Sequence, residues 1–256
     1  MKKLSFVIVF LVVIFGGYYT IRAEAERKDT LTFSNTMEWS PYYLAYANSP
    51  TRYSDEVYKD IILPPPPKNS SRQVKEEMRT LKSYRELRSP EQLEEFEKEG
   101  EKETLEFGGY TFGDYNNEKL FPATARLLRD SFYDVEVLEM RQKKLFDRVR
   151  PSFLDPSFDT MRPVHGHPAY PSYRSAEMHF IAHVFSELAP ERREEFFARA
   201  QEVAFRCQIA GLQYPSDTEG GKLLAKQIFD ALMKNEKFRA LIAEARKEWL
   251  AKGLAK

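Results

Sequence analysis

The chain has 256 residues, with 39 Lys plus Arg against 39 Asp plus Glu and a mean hydropathy of −0.56. That length supplies one sizeable core or at most two small ones, and the balanced charge gives no bulk argument for nucleic acid or anionic lipid as a partner. Cys207 is the single cysteine, which excludes an internal disulfide and leaves stability to packing.

Lys2 and Lys3 form a short basic start, Leu4 to Phe15 is an almost unbroken apolar run, and Gly16-Gly17 follows. Ala23-Glu24-Ala25 offers small residues at the spacing a signal peptidase reads. The apolar run is short for a bilayer span, so residues 1–25 are expected to be a cleaved secretory signal, with an uncleaved anchor as the alternative. No cysteine stands near the cleavage region to carry a lipid. The expected destination is periplasmic or secreted, with no stable membrane span after cleavage.

From Glu26 to Ile62 the sequence is rich in Tyr, Ser, Pro and Asn without a sustained period, and Pro64 to Pro67 favours stiff polyproline. Residues 26–67 are therefore read as an extended arm, and 68–256 as a helical domain. Ser70-Ser71 offers a cap before Val74, Met78 and Leu81 at helical spacing. Glu91 to Glu106, dominated by Glu and Lys, reads as a solvated helix face, and Phe107 to Asn117 as a loop.

Pro122 opens a stronger helix, with Leu127, Leu128, Phe132, Val135 and Leu138 on one stripe running toward Val149. Five prolines between Pro151 and Pro171 then punctuate a long irregular connection, a kind of segment that tends to be functional. Helix resumes near Ser175, where Met178, Ile181, Ala182, Phe185 and Leu188 line up. Glu191 to Ala210 forms another, and Lys222 to Ala251 one or two more. No segment alternates as a strand does, so the fold class is all-α in a single domain.

Several residues carry candidate chemistry. On a helix reaching Val149, Lys143 and Arg150 would share one face two turns apart, with Pro151 ending the helix at Arg150. Two cations beside a proline-rich loop suit an oxyanion, although a solvated basic face shared with Arg141, Lys144 and Arg148 is the plainer account. Tyr170-Pro171-Ser172-Tyr173-Arg174-Ser175 leads straight into a helix that Ser172 or Ser175 can cap, with backbone N–H groups that favour an anion. Gly211 to Asp217 breaks the helical pattern and restarts it.

Taken in order, Lys143 with six residues between it and Arg150-Pro151, then Pro171-Ser172, then Tyr214-Pro215-Ser216-Asp217 resemble the three-part signature of the bacterial class A non-specific acid phosphatases. These belong to the type 2 phosphatidic acid phosphatase and vanadium haloperoxidase superfamily, whose pattern is K-x-x-x-x-x-x-R-P, P-S-G-H and S-R-x-x-x-x-x-H-x-x-x-D. Leu63 with its four prolines and Asn235-Glu236-Lys237-Phe238 are similar to further family segments, so the likeness runs from about Leu63 to the C-terminus. It implies a helical bundle and a site for phosphate or a phosphomonoester-like anion. By position, Lys143, Arg150, Ser172, Tyr173, Arg174 and Arg206 would hold that anion.

The departures fall on the reactive groups. Tyr173-Arg174 stands where the family has Gly-His, Gln213 where it has the nucleophilic histidine, and Arg206-Cys207 where it has Ser-Arg. Of the family's catalytic positions, Arg174, Gln213 and Asp217 are what remain here. Gln213 lacks a basic nitrogen, Arg174 stays protonated and is a poor general acid, and Asp217 loses the histidine it would orient. Losing a nucleophile removes on the order of a millionfold in rate where residues act as a unit.

The sequence therefore points to a pseudophosphatase that keeps an oxyanion pocket or binds a partner protein. The alternatives are an active phosphomonoester hydrolase with a shifted site and a structural envelope protein. In the structural case Arg174 and Arg206 would pair with Asp217 and Glu219. His165 and His167 are the candidates for a shifted site, carried there by the proline-rich loop. His179 and His183, four apart, have metal-ligand spacing without Glu at 180 or a third ligand. Cys207 reads as a buried helix thiol, and no cofactor is expected.

Overall fold

Proline fixes φ and lacks an N–H, so it suits the first turn of a helix, and Pro41, Pro122, Pro151 and Pro215 all stand there. A computed structural model describes residues 22–101 and 112–256, and among them all regular secondary structure is helical, in a single domain. The apolar stretch read as a signal lies outside the described residues, whereas Ala23 to Ala25 fall within α1 (22–29). Among the described residues no helix is long and apolar enough to cross a membrane.

The helices that follow are α2 (Pro41–Asn48), α3 (Arg72–Ser83), α4 (Pro90–Glu101), α5 (Pro122–Phe146), α6 (Pro151–Leu154), α7 (Tyr173–Leu188), α8 (Arg193–Ile209), α9 (Pro215–Leu232) and α10 (Glu236–Ala251). The central element is α7, which α5, α8, α9 and α10 surround. Its residues are buried on every face, Met178, Phe180, Ile181, Val184 and Phe185 included, as a helix apolar all round requires. Ser172 caps it, its hydroxyl accepting from the Ser175 N–H at 3.2 Å. The N-terminus of α9 comes close to that cap because Gly221 has no side chain. A Cβ there would stand 2.6 Å from the Ser172 carbonyl oxygen.

Two expectations about the elements change. The segment read as an extended arm contains α2 and a 3₁₀ turn at Asp55–Tyr58. An eight-residue helix is marginal alone, and α2 stands because it packs on α5. The polyproline stretch is extended as expected, and Tyr170 fastens it by donating to the Pro64 carbonyl at 2.7 Å.

The second change concerns the helix expected to run to Val149. It ends at Phe146, where Asp147 turns left-handed at φ 46°, a conformation that short polar side chains tolerate. The Asp147 N–H closes the helix onto the Lys143 carbonyl at 2.9 Å, and its carboxylate accepts from the Ser34 hydroxyl at 2.8 Å and N–H at 3.1 Å. Lys143 and Arg150 are consequently not two turns apart on one helix. Lys143 lies in the last turn of α5, and Arg150 is the N-cap residue of α6.

Asp134 of α5, fully buried, anchors the segment after α2. It accepts from the Arg52 N–H at 2.6 Å, the Tyr53 N–H at 2.9 Å and the Tyr58 hydroxyl at 2.7 Å. Asp134→Ala leaves these donors without their acceptor and is expected to lower the unfolding free energy by about 2–4 kcal/mol. Urea denaturation measures this, and an unchanged midpoint would remove the anchoring role.

Candidate functional site

Helices α2, α5, α7 and α8, with their connecting segments, enclose a cavity of about 550 Å³. On α5, Arg129, Phe132, Tyr133 and Glu136 fall at i, i+3, i+4 and i+7, so they share the stripe that faces it. Tyr42, Tyr43 and Tyr46 of α2 form the opposing wall. The proline-rich loop adds His165 and His167, the first turn of α7 adds Tyr173 and Arg174, and the end of α8 with the loop after it adds Cys207, Leu212 and Gln213.

Four of the residues singled out from the sequence, Arg150, Tyr173, Arg174 and Gln213, thus meet in one cavity although the chain separates them widely. Arg150 is 2% exposed. Its guanidinium donates to the His167 carbonyl at 2.7 and 3.1 Å and to the Leu212 carbonyl at 2.8 Å. Burial lowers its pKa to about 10, which still leaves it charged at neutral pH. His167 Nδ1 lies between two groups, 3.0 Å from the Arg150 guanidinium and 3.1 Å from the Pro168 carbonyl oxygen. Arg174 pairs with Glu177 one turn along α7, at 3.0 Å.

The other candidates serve the scaffold. Lys143 is fully buried, and its ammonium donates to the Pro168 carbonyl at 3.0 Å and to the Pro171 carbonyl, with Glu139 at 3.5 Å. Burial brings its pKa down to about 8. Lys143 therefore holds the loop that carries the histidines instead of lining the cavity. The Ser172 hydroxyl is spent on capping α7 and on donating to Gln213 Oε1 at 2.8 Å, while Gln213 Nε2 donates to the Thr218 hydroxyl at 3.2 Å. With both ends of its amide engaged, Gln213 is fixed. Arg206 is half-buried in the last turn of α8. The helix rotates by about 100° per residue, so Cys207, not Arg206, meets the cavity.

Asp217 has a different partner from the one expected for a structural remnant. Its carboxylate accepts from the Tyr214 N–H at 2.7 Å and from Arg148, while Arg174 goes to Glu177 and Glu219 to Lys222. Arg148 is 4% exposed, so it does not belong to a solvated basic face. It lies 4.0 Å over the Tyr214 ring, donates to the Ser216 hydroxyl at 2.8 Å and approaches Glu77 of α3 at 3.4 Å. The sequence signal for this was faint, namely one more basic residue in a basic run.

His165 and His167 stack with ring centroids 5.5 Å apart. Burial, reinforced by Arg150 and neighbouring cations, lowers His165 to about 3 and carries His167 well below the usual imidazole range. Both rings are therefore uncharged at neutral pH, and the cavity's charge comes from its arginines and Glu136. His179 and His183 are packing residues. His179 Nδ1 bonds the Ser175 carbonyl at 2.8 Å, and His183 stacks on Phe229 at 5.2 Å. Among the described residues no group of three or more His, Cys, Asp or Glu is arranged to hold a metal ion.

Neither a comparison with protein-family models nor one with curated proteins finds a match for this chain. The likeness to the class A phosphatases therefore rests on motif order and spacing in the sequence.

Asp217→Ala would leave Arg148 buried without its main counter-charge, and a loss of about 3–5 kcal/mol is expected by denaturant titration. A loss under about 1 kcal/mol would show the pair to be dispensable. Glu177 gives a pH test, because burial raises its pKa from 4.5 to about 8 against the pull of Arg174. An acid with a raised folded-state pKa contributes stability that is complete below its unfolded value and lost as pH rises toward the folded one. Glu177→Gln cannot ionise, so its stability relative to the unaltered chain should improve by on the order of 1–3 kcal/mol between pH 5 and pH 8. A difference that stays flat over that window would mean Glu177 is ionised throughout.

Proposed function

We propose that this chain is an exported, periplasmic or secreted member of the class A acid phosphatase group that has become a pseudophosphatase, binding phosphate-like oxyanions without the family's hydrolytic chemistry. One observation carries the reading: Arg52, Arg129, Arg150 and Arg174 line a single cavity against one carboxylate, Glu136. Guanidinium groups in a partly desolvated site give charge-assisted, geometrically matched bonds to an oxyanion. No imidazole occupies either family position, and the fixed amide of Gln213 offers no nucleophile. The cradle differs from the one implied by the motifs, because Lys143 and Ser172 are spent on the loop and the α7 cap, and aromatic groups take up much of the wall.

A second reading, a phosphomonoester hydrolase with a shifted nucleophile, has its own observation. His165 and His167 line the same cavity and are held uncharged, the form in which an imidazole attacks. Against it, His167 Nδ1 is already taken up by its contacts with Arg150 and the Pro168 carbonyl.

Millimolar phosphate or vanadate should raise the melting temperature by about 1–4 °C through binding to the native state, and Arg174→Gln should reduce the rise by half or more. No rise in the unaltered protein would favour a purely structural scaffold. In parallel, p-nitrophenyl phosphate should remain intact from acidic to neutral pH. Turnover that disappears in His165→Ala or His167→Ala would establish the second reading instead.

A further inference from the structure

The cavity is far larger than an inorganic oxyanion needs, and about 550 Å³ is in the range that encloses an organic ligand. Its cations fall into two groups at different depths. Arg150 is 2% exposed and the Arg174 side chain 19% exposed, which puts both inside, whereas the Arg129 side chain is 45% exposed and Arg52 also faces solvent. The inner pair is held by protein acceptors at fixed positions. The outer pair stands at the mouth, where Arg129 approaches Glu118 at 3.4 Å and Arg52 donates to the Arg129 carbonyl.

A continuous aromatic wall joins the two groups. Arg52 lies 4.8 Å over the Tyr133 ring, Tyr133 meets Tyr46 at 5.8 Å, and Tyr46 meets Tyr42 at 5.3 Å. Tyr42 then meets Tyr43 at 5.2 Å, and Tyr43 meets His167, the neighbour of Arg150, at 4.6 Å. Among the described residues Glu136 is the only carboxylate on this lining, and the Tyr173 hydroxyl donates to it at 3.2 Å. Aromatic faces and edges hold flat, apolar groups by stacking and edge-to-face contact, while guanidinium groups select oxyanions.

We infer that the cavity takes an elongated dianionic ligand, with one oxyanion on Arg150 and Arg174, a planar aromatic body along the tyrosines, and a second oxyanion at Arg52 and Arg129. The inference rests on the oxyanion-binding reading of the same site and adds the length, shape and second charge of what it binds. The inner contact is desolvated and supplies the larger part of the affinity. The outer contact is exposed and screened by salt, so it contributes less and mainly at low ionic strength.

Isothermal titration calorimetry on the full chain at low salt tests this with phenyl phosphate, 1,4-phenylene bisphosphate and biphenyl-4,4′-bisphosphate, the latter two differing in length by one ring. At least one bisphosphate should bind about tenfold more tightly than phenyl phosphate. In the double variant Arg52→Gln, Arg129→Gln the bisphosphates should bind no more tightly than phenyl phosphate does to that same variant. Both side chains are exposed, and an unchanged melting temperature confirms that the variant folds. Bisphosphates binding no better than phenyl phosphate, or a gain that survives the double variant, would overturn the two-ended ligand and leave oxyanion binding standing. If none of the three compounds binds, the oxyanion reading falls with it.

Discussion

The arrangement turns on one buried ion pair, Arg148 with Asp217. Three parts of the chain that are distant in sequence converge on it: α3 through Glu77, the link between α5 and α6 through Arg148, and the start of α9 through Tyr214, Ser216 and Asp217. The Asp217 carbonyl also accepts from the Ser172 N–H at 2.8 Å, which brings the start of α7 to the same point. Removing such charges from water is expensive unless every remaining donor and acceptor is matched. Here the stacking on Tyr214, the Ser216 hydroxyl and Glu77 supply additional partners, while the Arg148 Nε–H has no hydrogen-bond acceptor among the described residues, so the match is incomplete. The pair thereby fixes the start of α7 against the start of α9, and so fixes the places of Arg174 and Gln213 on the cavity wall.

Around that node, groups that suit anion chemistry have largely been turned to architecture. Lys143 and Arg150 both satisfy backbone carbonyls of a loop that has no regular hydrogen bonding of its own. An irregular buried segment must find partners for its carbonyls, and a long cation reaching in from a neighbouring element is an efficient source. Arg150 serves both purposes, since it holds the loop and also borders the cavity. The same loop delivers His165 and His167 to the wall, where burial keeps their rings uncharged.

The sequence disclosed the helical stripes well because burial on α5, α7 and α9 follows a regular period. Leu127, Phe132, Met178 and Phe185 are all in the core. What it concealed were features decided by single residues or by distant contacts. The end of α5 depends on Asp147 adopting a left-handed turn that Ser34 secures from more than a hundred residues away. Arg148 and Arg150 look alike in a basic run, yet one faces Asp217 and the other the cavity. The tyrosines of the arm were visible as a cluster, and Tyr42 with Tyr46 already had i, i+4 spacing. Their helix, however, exists only by docking on α5, and local periodicity carries no trace of that. The motif spacings located the inner cations, whereas Arg52 and Arg129 belong to no motif and emerged only from the fold.

The cavity draws its lining from positions as far apart in the described chain as Tyr42 and Gln213. On a ribosome the tyrosines emerge first and wait, without their facing wall, until synthesis has passed Gln213. No truncated translation product ending short of that point holds a complete chamber. Whatever ligand occupies it can meet only a chain grown past both walls.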